Sequence, residues 1–183
     1  MMKRYAYRHF LSQTQDRVFS YASYMLRNRE DAEDVTQEVF VKMWKHWDTI
    51  RKEKRDSWIL RVTHNECIDL LRRKSSPQRA WTTLDDAVNN RIVALSSISP
   101  EQELESGEMQ KAILASLAGL PDKMQSMMLL HYYQGVRFEE IAEILGMSLS
   151  AVKTGMHRAR KQLRGVLEKR YPELAGVGNV QTV

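Results

Sequence analysis

The sequence is poor in the residues that build disulfides, turns and membrane spans. Its 183 residues include one cysteine, Cys67, four prolines and eight glycines. A single thiol excludes an intramolecular disulfide and any zinc site made of several cysteines, and it suits a reducing compartment. No stretch approaches the roughly 18 apolar residues of a membrane span, and the opening MMKRYAYRHF lacks the apolar run of a secretory leader. The expectation is a soluble, cytoplasmic protein with no direct membrane insertion. Between the sparse glycines and prolines, apolar residues recur at helical spacing and not in strict alternation. The predicted fold class is all-α.

What is present is charge in a folding composition. Charged residues make up 28% and hydrophobic residues 43%, the balance of a globular protein. The net charge of +5 favours an anionic partner, nucleic acid or a membrane surface, and its distribution must decide between them. The length suggests two compact helical modules joined by a linker, neither with a large core.

In the first module, expected over 1–75, Val18, Ala22, Met25 and Leu26 mark one helix face, and Ala32, Val35, Val39 and Met43 mark the next, with Arg-Asn-Arg at 27–29 as the break. A third helix is predicted from about Asp56 to Arg73, with Ile59, Val62, Cys67, Leu70 and Leu71 turned inward. From 76 to 105 the texture changes to serine, asparagine, proline and an acidic run, without an apolar stripe, which reads as a flexible linker. A second module is expected over 106–171, with helices at 106–118, 121–133, 138–145 and 148–170, before a disordered tail at 172–183. About 30 flexible residues span ~30 Å on average and ~100 Å at full stretch, enough to place two modules more than one DNA turn of ~34 Å apart.

The segment FEEIAEILGMSLSAVKTGMHRARKQL has the anatomy of a helix-turn-helix. Ile141, Ala142 and Leu145 give the first helix an inner face; Gly146 can take the left-handed backbone of a sharp turn; Ser148 can cap the next helix. Val152, Met156 and Leu163 form the buried side of that second helix. Ser150, Lys153, Thr154, His157, Arg158 and Lys161 are left facing out, with short polar groups early and cations later. That is the pattern in which early residues reach base edges in the major groove and cations pair with phosphates. The span 153–170 holds seven Lys/Arg against one acid, Glu168. A merely structural helical corner would not need its caps, its glycine and its cations in this register.

The first module is electrically two-sided. Its second helix carries Glu30, Asp31, Glu33, Asp34 and Glu38, which suits a basic protein surface and would repel DNA. The third carries Arg61, Asn65, Asp69 and Arg72 at spacings of three and four, a polar stripe with cations at both ends that suits a nucleic-acid strand. An asparagine amide offers both a donor and an acceptor to an exposed base, although an isolated asparagine on a helix is more often plain surface. Trp44, Trp47 and Trp58 could stack on unpaired bases; a core position is favoured for Trp44, and Trp58 stays open.

With these residues in view, the chain resembles the extracytoplasmic-function branch of the sigma-70 family, the promoter-specificity subunits of bacterial RNA polymerase. DAEDVTQEVFVKMWK resembles the family's region 2, WILRVTHNECIDLLRRK its promoter −10 helix, and LPDKMQSMMLLHYYQGVRFEEIAEILGMSLSAVKTGMHRARKQLR its region 4. The resemblance implies that Asp34, Gln37 and Glu38 face the clamp helices of the polymerase largest subunit. It implies that Arg61, Asn65, Asp69, Arg72 and Arg73 meet the unwound −10 strand, with Asn65 accommodating a flipped base. Ser150, Lys153, Thr154, His157, Arg158 and Lys161 would then meet the −35 duplex, and the polymerase flap region and an anti-sigma factor would be further partners. It implies no catalysis, no cofactor and no metal. The C-terminal module would be winged-helix-like, and promoters would be read through two elements only, since the extra regions of housekeeping members have no counterpart here. Gly155 stands where the family usually carries arginine, which is expected to remove a phosphate contact and to cost about 1 kcal/mol of helix propensity.

Two rival readings remain at this point. A stand-alone helix-turn-helix regulator would leave the first 75 residues unexplained. A helical enzyme of the metal-dependent kind would have only His64 with Cys67, or Asp85 with Asp86, and two ligands do not make a metal site.

Overall fold

A computed structural model describes residues 2–75, 113, 116–117 and 119–170. The expected linker at 76–105 with Asp85 and Asp86, most of the helix expected at 106–118, and the tail at 172–183 lie outside the described residues. The described residues form helices only: α1 (Met2–Leu26), α2 (Arg29–His46), a 3-10 turn (Lys52–Lys54), α3 (Arg55–Ser75), α4 (Asp122–Met128) continued by a π-helical turn (Leu129–Tyr133), α5 (Phe138–Leu145) and α6 (Leu149–Arg170). None of them is long and apolar enough to cross a membrane.

Helices α1, α2 and α3 pack on one another around Val18, Tyr21, Ala22, Val39, Met43, Ile59 and Cys67. α1 stops at Arg27, whose positive φ of 54° is a costly left-handed conformation for a residue with a side chain. Asn28 then starts α2 by accepting the Asp31 N–H at 2.9 Å. Glu30 and Asp31 lie in the first turn of α2 and Lys45 and His46 in the last, which complements the helix dipole. Two threonines enter this core without leaving an unpaired hydroxyl: Thr36 donates to the Ala32 carbonyl at 2.6 Å and Thr63 to that of Ile59 at 2.7 Å.

α4 begins directly after Pro121, whose carbonyl accepts the N–H groups of Met124 and Gln125. Its π turn ends near Gly135, at φ 67°, and α5 ends at Gly146, at φ 62°; both glycines hold backbone that favours glycine. Leu130, Ile141, Ile144, Val152, Met156 and Ala159 fill the space between α4, α5 and α6. The expected helix at 138–145 is observed with those bounds.

The two groups of helices touch. α3 lies against α5, and α1 against α4 and the π turn. The buried apolar residues of both groups belong to one core, and polar side chains cross beside it. Gln125, buried, donates to the Tyr24 carbonyl at 3.1 Å and accepts from Arg27 at 3.1 Å. Arg17 and Gln134 hydrogen-bond in both directions, guanidinium to amide oxygen and amide nitrogen to the Arg17 carbonyl, each at 3.1 Å. Lys54 pairs with Glu143 at 3.0 Å, and the rings of Tyr24 and Tyr133 meet edge to face at 4.7 Å.

Candidate nucleic-acid and polymerase interfaces

The rotation of α6 is fixed by Val152, Met156 and Ala159, all fully buried, with Leu163 partly buried beyond them. Its start is fixed by Ser148, whose hydroxyl accepts the Ala151 N–H at 3.2 Å. Ser150, Lys153, Thr154, His157, Arg158 and Lys161 are consequently all exposed, on one continuous face. One cation of the basic run does not belong to that face. Arg160 turns back across the module and donates to the Tyr132 hydroxyl at 2.7 Å, with its guanidinium near the ring.

Gly155 corrects the reading of its missing arginine. It is buried, and a Cβ built there would stand 2.7 Å from Cε and 2.8 Å from Sδ of Met127 on α4. The position faces the neighbouring helix and not the outward surface, so glycine here permits close packing of α6 on α4 in place of a phosphate contact. Beside it a groove of about 690 Å³ runs between α4 and α6, with Met124, Met127 and Ala151 along it and Thr154 and Arg158 at its edge.

On α3, Arg61, Asn65, Asp69, Arg72 and Arg73 are exposed, as the spacing requires. Asp69 organises the basic end: its carboxylate lies 3.5 Å from Arg72, and its carbonyl accepts from Arg73 at 3.3 Å. The stripe does not face open solvent along its whole length. His64, Asn65, Asp69 and Arg72 form one wall of a cleft of about 660 Å³ whose other wall carries Asp122, Lys123 and Leu145 of the second group of helices. At its other end, Arg61 and the half-buried Trp58 line a smaller pocket of about 180 Å³ with Lys54 and Glu143. Trp58 also tilts against His46.

His64 sits beneath this stripe. Its Nδ1 is 3.1 Å from the Tyr21 hydroxyl and 3.4 Å from that of Ser126, so it joins α1, α3 and α4. Burial, aided by the positive charge of Arg72 and opposed by Asp122, lowers its pKa to about 4. It is therefore neutral near pH 7 and contributes no cation to a phosphate. Cys67 is fully buried in the first core, and burial pushes its thiol well above the ordinary range. The pair is committed to packing, and the described residues hold no cluster of three His, Cys, Asp or Glu that could hold a metal ion.

Helix α2 turns Asp34, Gln37, Glu38 and Val41 outward, a stripe at spacings of three, one and three. Lys42 flanks it, 2.6 Å from Glu66 on α3 and 3.6 Å from Glu38, and these carboxylates raise its pKa. The core position expected for Trp44 is not observed. Trp44 is 38% exposed, with Tyr7 against its edge and Lys3 over its face, and Trp47, 4% exposed, takes the interior position.

A helix-turn-helix with a basic outward face, joined to a bundle with one acidic face and one polar stripe, is a combination that known proteins share. Residues 10–76 match the family described as Sigma-70 region 2, and residues 110–163 match Sigma-70, region 4. The ECF RNA polymerase sigma factor SigW of Bacillus subtilis is 30% identical over 154 residues, covering 81% of this chain and 82% of the relative. The chain belongs to the extracytoplasmic-function branch of the sigma-70 family. It is an RNA polymerase sigma factor, directing promoter-specific transcription initiation through core polymerase and promoter DNA. SigE of Mycolicibacterium smegmatis is 31% identical over 160 residues, covering 87% of this chain but 61% of the relative. A solved sigma factor, RpoE of Bartonella quintana in complex with the anti-sigma factor NepR, has the same fold, with a TM-score of 0.71 at 19% identity over 89% of this chain and 97% of that one.

Sequence reasoning missed the residues that bring the two halves of the sigma factor together: Arg17, Arg27, Gln125, Ser126 and Gln134. Each reads as an ordinary polar position on a helix. The only available signal is that Gln125 and Ser126 interrupt an apolar run, which marks polar groups that need buried partners.

Proposed function

We propose that three exposed faces divide the work of this sigma factor. On α6, Ser150, Thr154 and His157 reach base edges of the −35 duplex while Lys153, Arg158 and Lys161 pair with its phosphates. On α3, Arg61, Asn65, Asp69, Arg72 and Arg73 receive the unwound −10 strand, with Asn65 offering its amide to a flipped base. On α2, Asp34, Gln37 and Glu38 dock on the clamp helices of the polymerase largest subunit, and the second module meets the flap region. The modules are 1–75 and 106–171, with 76–105 as the linker and 172–183 as the tail. The protein works in the cytoplasm without catalysis of its own, and an anti-sigma factor is a further partner, as the NepR complex of the similar RpoE suggests.

The observation that carries this reading is the sorting of charge. Three sets far apart in sequence are each exposed on one helix face, acidic on α2 and polar or basic on α3 and α6. Gel filtration with core polymerase tests it: the wild-type chain co-elutes, and a chain carrying Asp34→Ala, Gln37→Ala and Glu38→Ala does not. Failure of the wild-type chain to co-elute at low salt overturns the reading.

A further inference from the structure

The outward face of α6 does not end at the helix. On the flank where Gly155 brings α6 close to Met127, it is continued by the groove of about 690 Å³ between α4 and α6. Ser150, Thr154 and Arg158 of that face lie on one bank of the groove, and Lys123 of α4 stands on the other. Its floor is apolar: Met124, Met147 and Ala151 are partly buried along it, and Gly155 adds no side chain to fill it.

The charge on the two banks is not used within the chain. Lys123 and Arg158 are exposed, and neither pairs with a carboxylate among the described residues, whereas Lys3, Lys42, Lys54 and Lys74 each do. Lys123 is also the only cation of α4. Asp122 beside it lines both this groove and the α3 cleft, and its charge reaches His64 on the α3 side. Two cations over an apolar floor suit a sugar–phosphate chain, which offers charge along one edge and C–H surface along the other. A helix with its side chains is about 10–12 Å across and the major groove is about 12 Å wide. A seated helix therefore fills the groove, and whatever flanks it meets the backbones at the borders.

On the reading of α6 as the −35 helix, we propose that the DNA interface crosses from α6 to α4: one strand of the duplex lies over the methionine-lined groove, its phosphates held by Arg158 on one bank and Lys123 on the other. Lys123 is then a positioning residue. It reads no base, and it fixes the depth and rotation at which α6 sits in the major groove.

The test uses core polymerase carrying the full-length chain, titrated with a fluorescent duplex spanning the −35 region of a promoter that this holoenzyme transcribes. Lys123→Ala should weaken binding and reduce the slope of log affinity against log salt by about one, so that the loss is roughly three- to fourfold larger at about 50 mM than at about 200 mM salt. Lys123→Arg should restore both affinity and slope. Methylphosphonates placed one at a time along the duplex then locate the contact. The cost of neutralising one phosphate should vanish in Lys123→Ala, and the cost at a second phosphate of the same strand should vanish in Arg158→Ala. If Arg158→Ala weakens binding while Lys123→Ala leaves affinity and slope unchanged, or abolishes the cost at no phosphate, the proposal is overturned and the −35 reading of α6 stands. If Arg158→Ala is also without effect, that reading fails and the proposal fails with it.

Discussion

The outward face of α6 and the polar stripe of α3 are built from the same materials, small polar groups and cations at spacings of three and four, but they stand in different surroundings. α6 is held by an apolar seam of Val152, Met156 and Ala159 and shows its face to open solvent. α3 is held by Ile59, Leu60, Thr63 and Cys67 on one side and is approached on another by a second group of helices, through the His64–Ser126 contact and along clefts where Trp58, Ile68 and Leu71 share a lining with Ile144 and Leu145. Readout of a rigid duplex needs a surface already formed, whereas capture of an unpaired strand is useful only after the duplex opens. Both sets are exposed, and they differ in that part of the α3 stripe forms one wall of a cleft.

The largest change is expected from breaking the seam that presents α6. Met156→Ala removes a fully buried side chain and should cost about 2–5 kcal/mol of the second module's stability. Thermal denaturation should register the loss, and −35 footprinting should fail, while co-elution with polymerase through α2 persists. Simultaneous loss of both functions would mean that the core shared by the two halves couples their stability.

Acid should act on the α3 side. His64 has a folded pKa lowered to about 4, against about 6.5 when exposed, so below pH 6.5 the unfolded chain takes up a proton that the folded chain refuses. Stability is whole above pH 6.5 and falls as the pH drops toward 4, by at most about 3 kcal/mol. Chemical denaturation between pH 7 and 4.5 should show this slope, and His64→Gln should flatten it. A slope unaffected by that change would place the acid sensitivity elsewhere.

Single contacts come next. Asn65→Ala should slow promoter opening by a factor corresponding to about 1–3 kcal/mol and leave polymerase binding intact. Equal loss of both activities would count against base capture. Arg158→Ala should weaken −35 binding and reduce the slope of log affinity against log salt by about one. An unchanged salt slope would remove Arg158 from the phosphate contacts.

Most of the fold was legible in the sequence, because helical periodicity and the punctuation at Arg27–Arg29, Pro121 and Gly146 report local physics. Ile141, Val152 and Met156 were read as buried and are; Ile144 and Ala159, also buried, were missed, and Ala142, Leu145 and Leu163 are partly buried. Trp44 and Trp47 were harder to separate: both lie near the α2 end, and the tertiary course of α1, which brings Tyr7 to both rings but Phe10 to Trp47, decides which ring goes inside. The same limit hid the contact between the two halves. Arg17 and Gln134 are 117 positions apart, and nothing local in either segment encodes that they meet. The outward sets on α2, α3 and α6 were readable as faces, and what each touches rests on the experiments above.

The smallest expected effect concerns Gly155, where two opposing terms nearly cancel. Gly155→Ala gains roughly 0.8–1 kcal/mol of helix propensity in the middle of α6. The added Cβ meets Met127 at 2.7 Å, which is too close to keep, but the atoms it meets are the mobile end of an unbranched side chain. If Met127 swings aside without loss of packing, the melting temperature should rise slightly and −35 binding should be unchanged. If α6 moves instead, stability still changes little, but Thr154 and Arg158 shift with the helix and −35 affinity drops. Pairing Gly155→Ala with Met127→Ala separates the cases, because removing the obstructing sulfur should restore affinity only when the helix had been displaced. Recovery of −35 binding in the double variant would show that the close approach of α6 to α4 sets the height of the recognition face. No change in either variant would leave Gly155 as a packing residue with no influence on DNA.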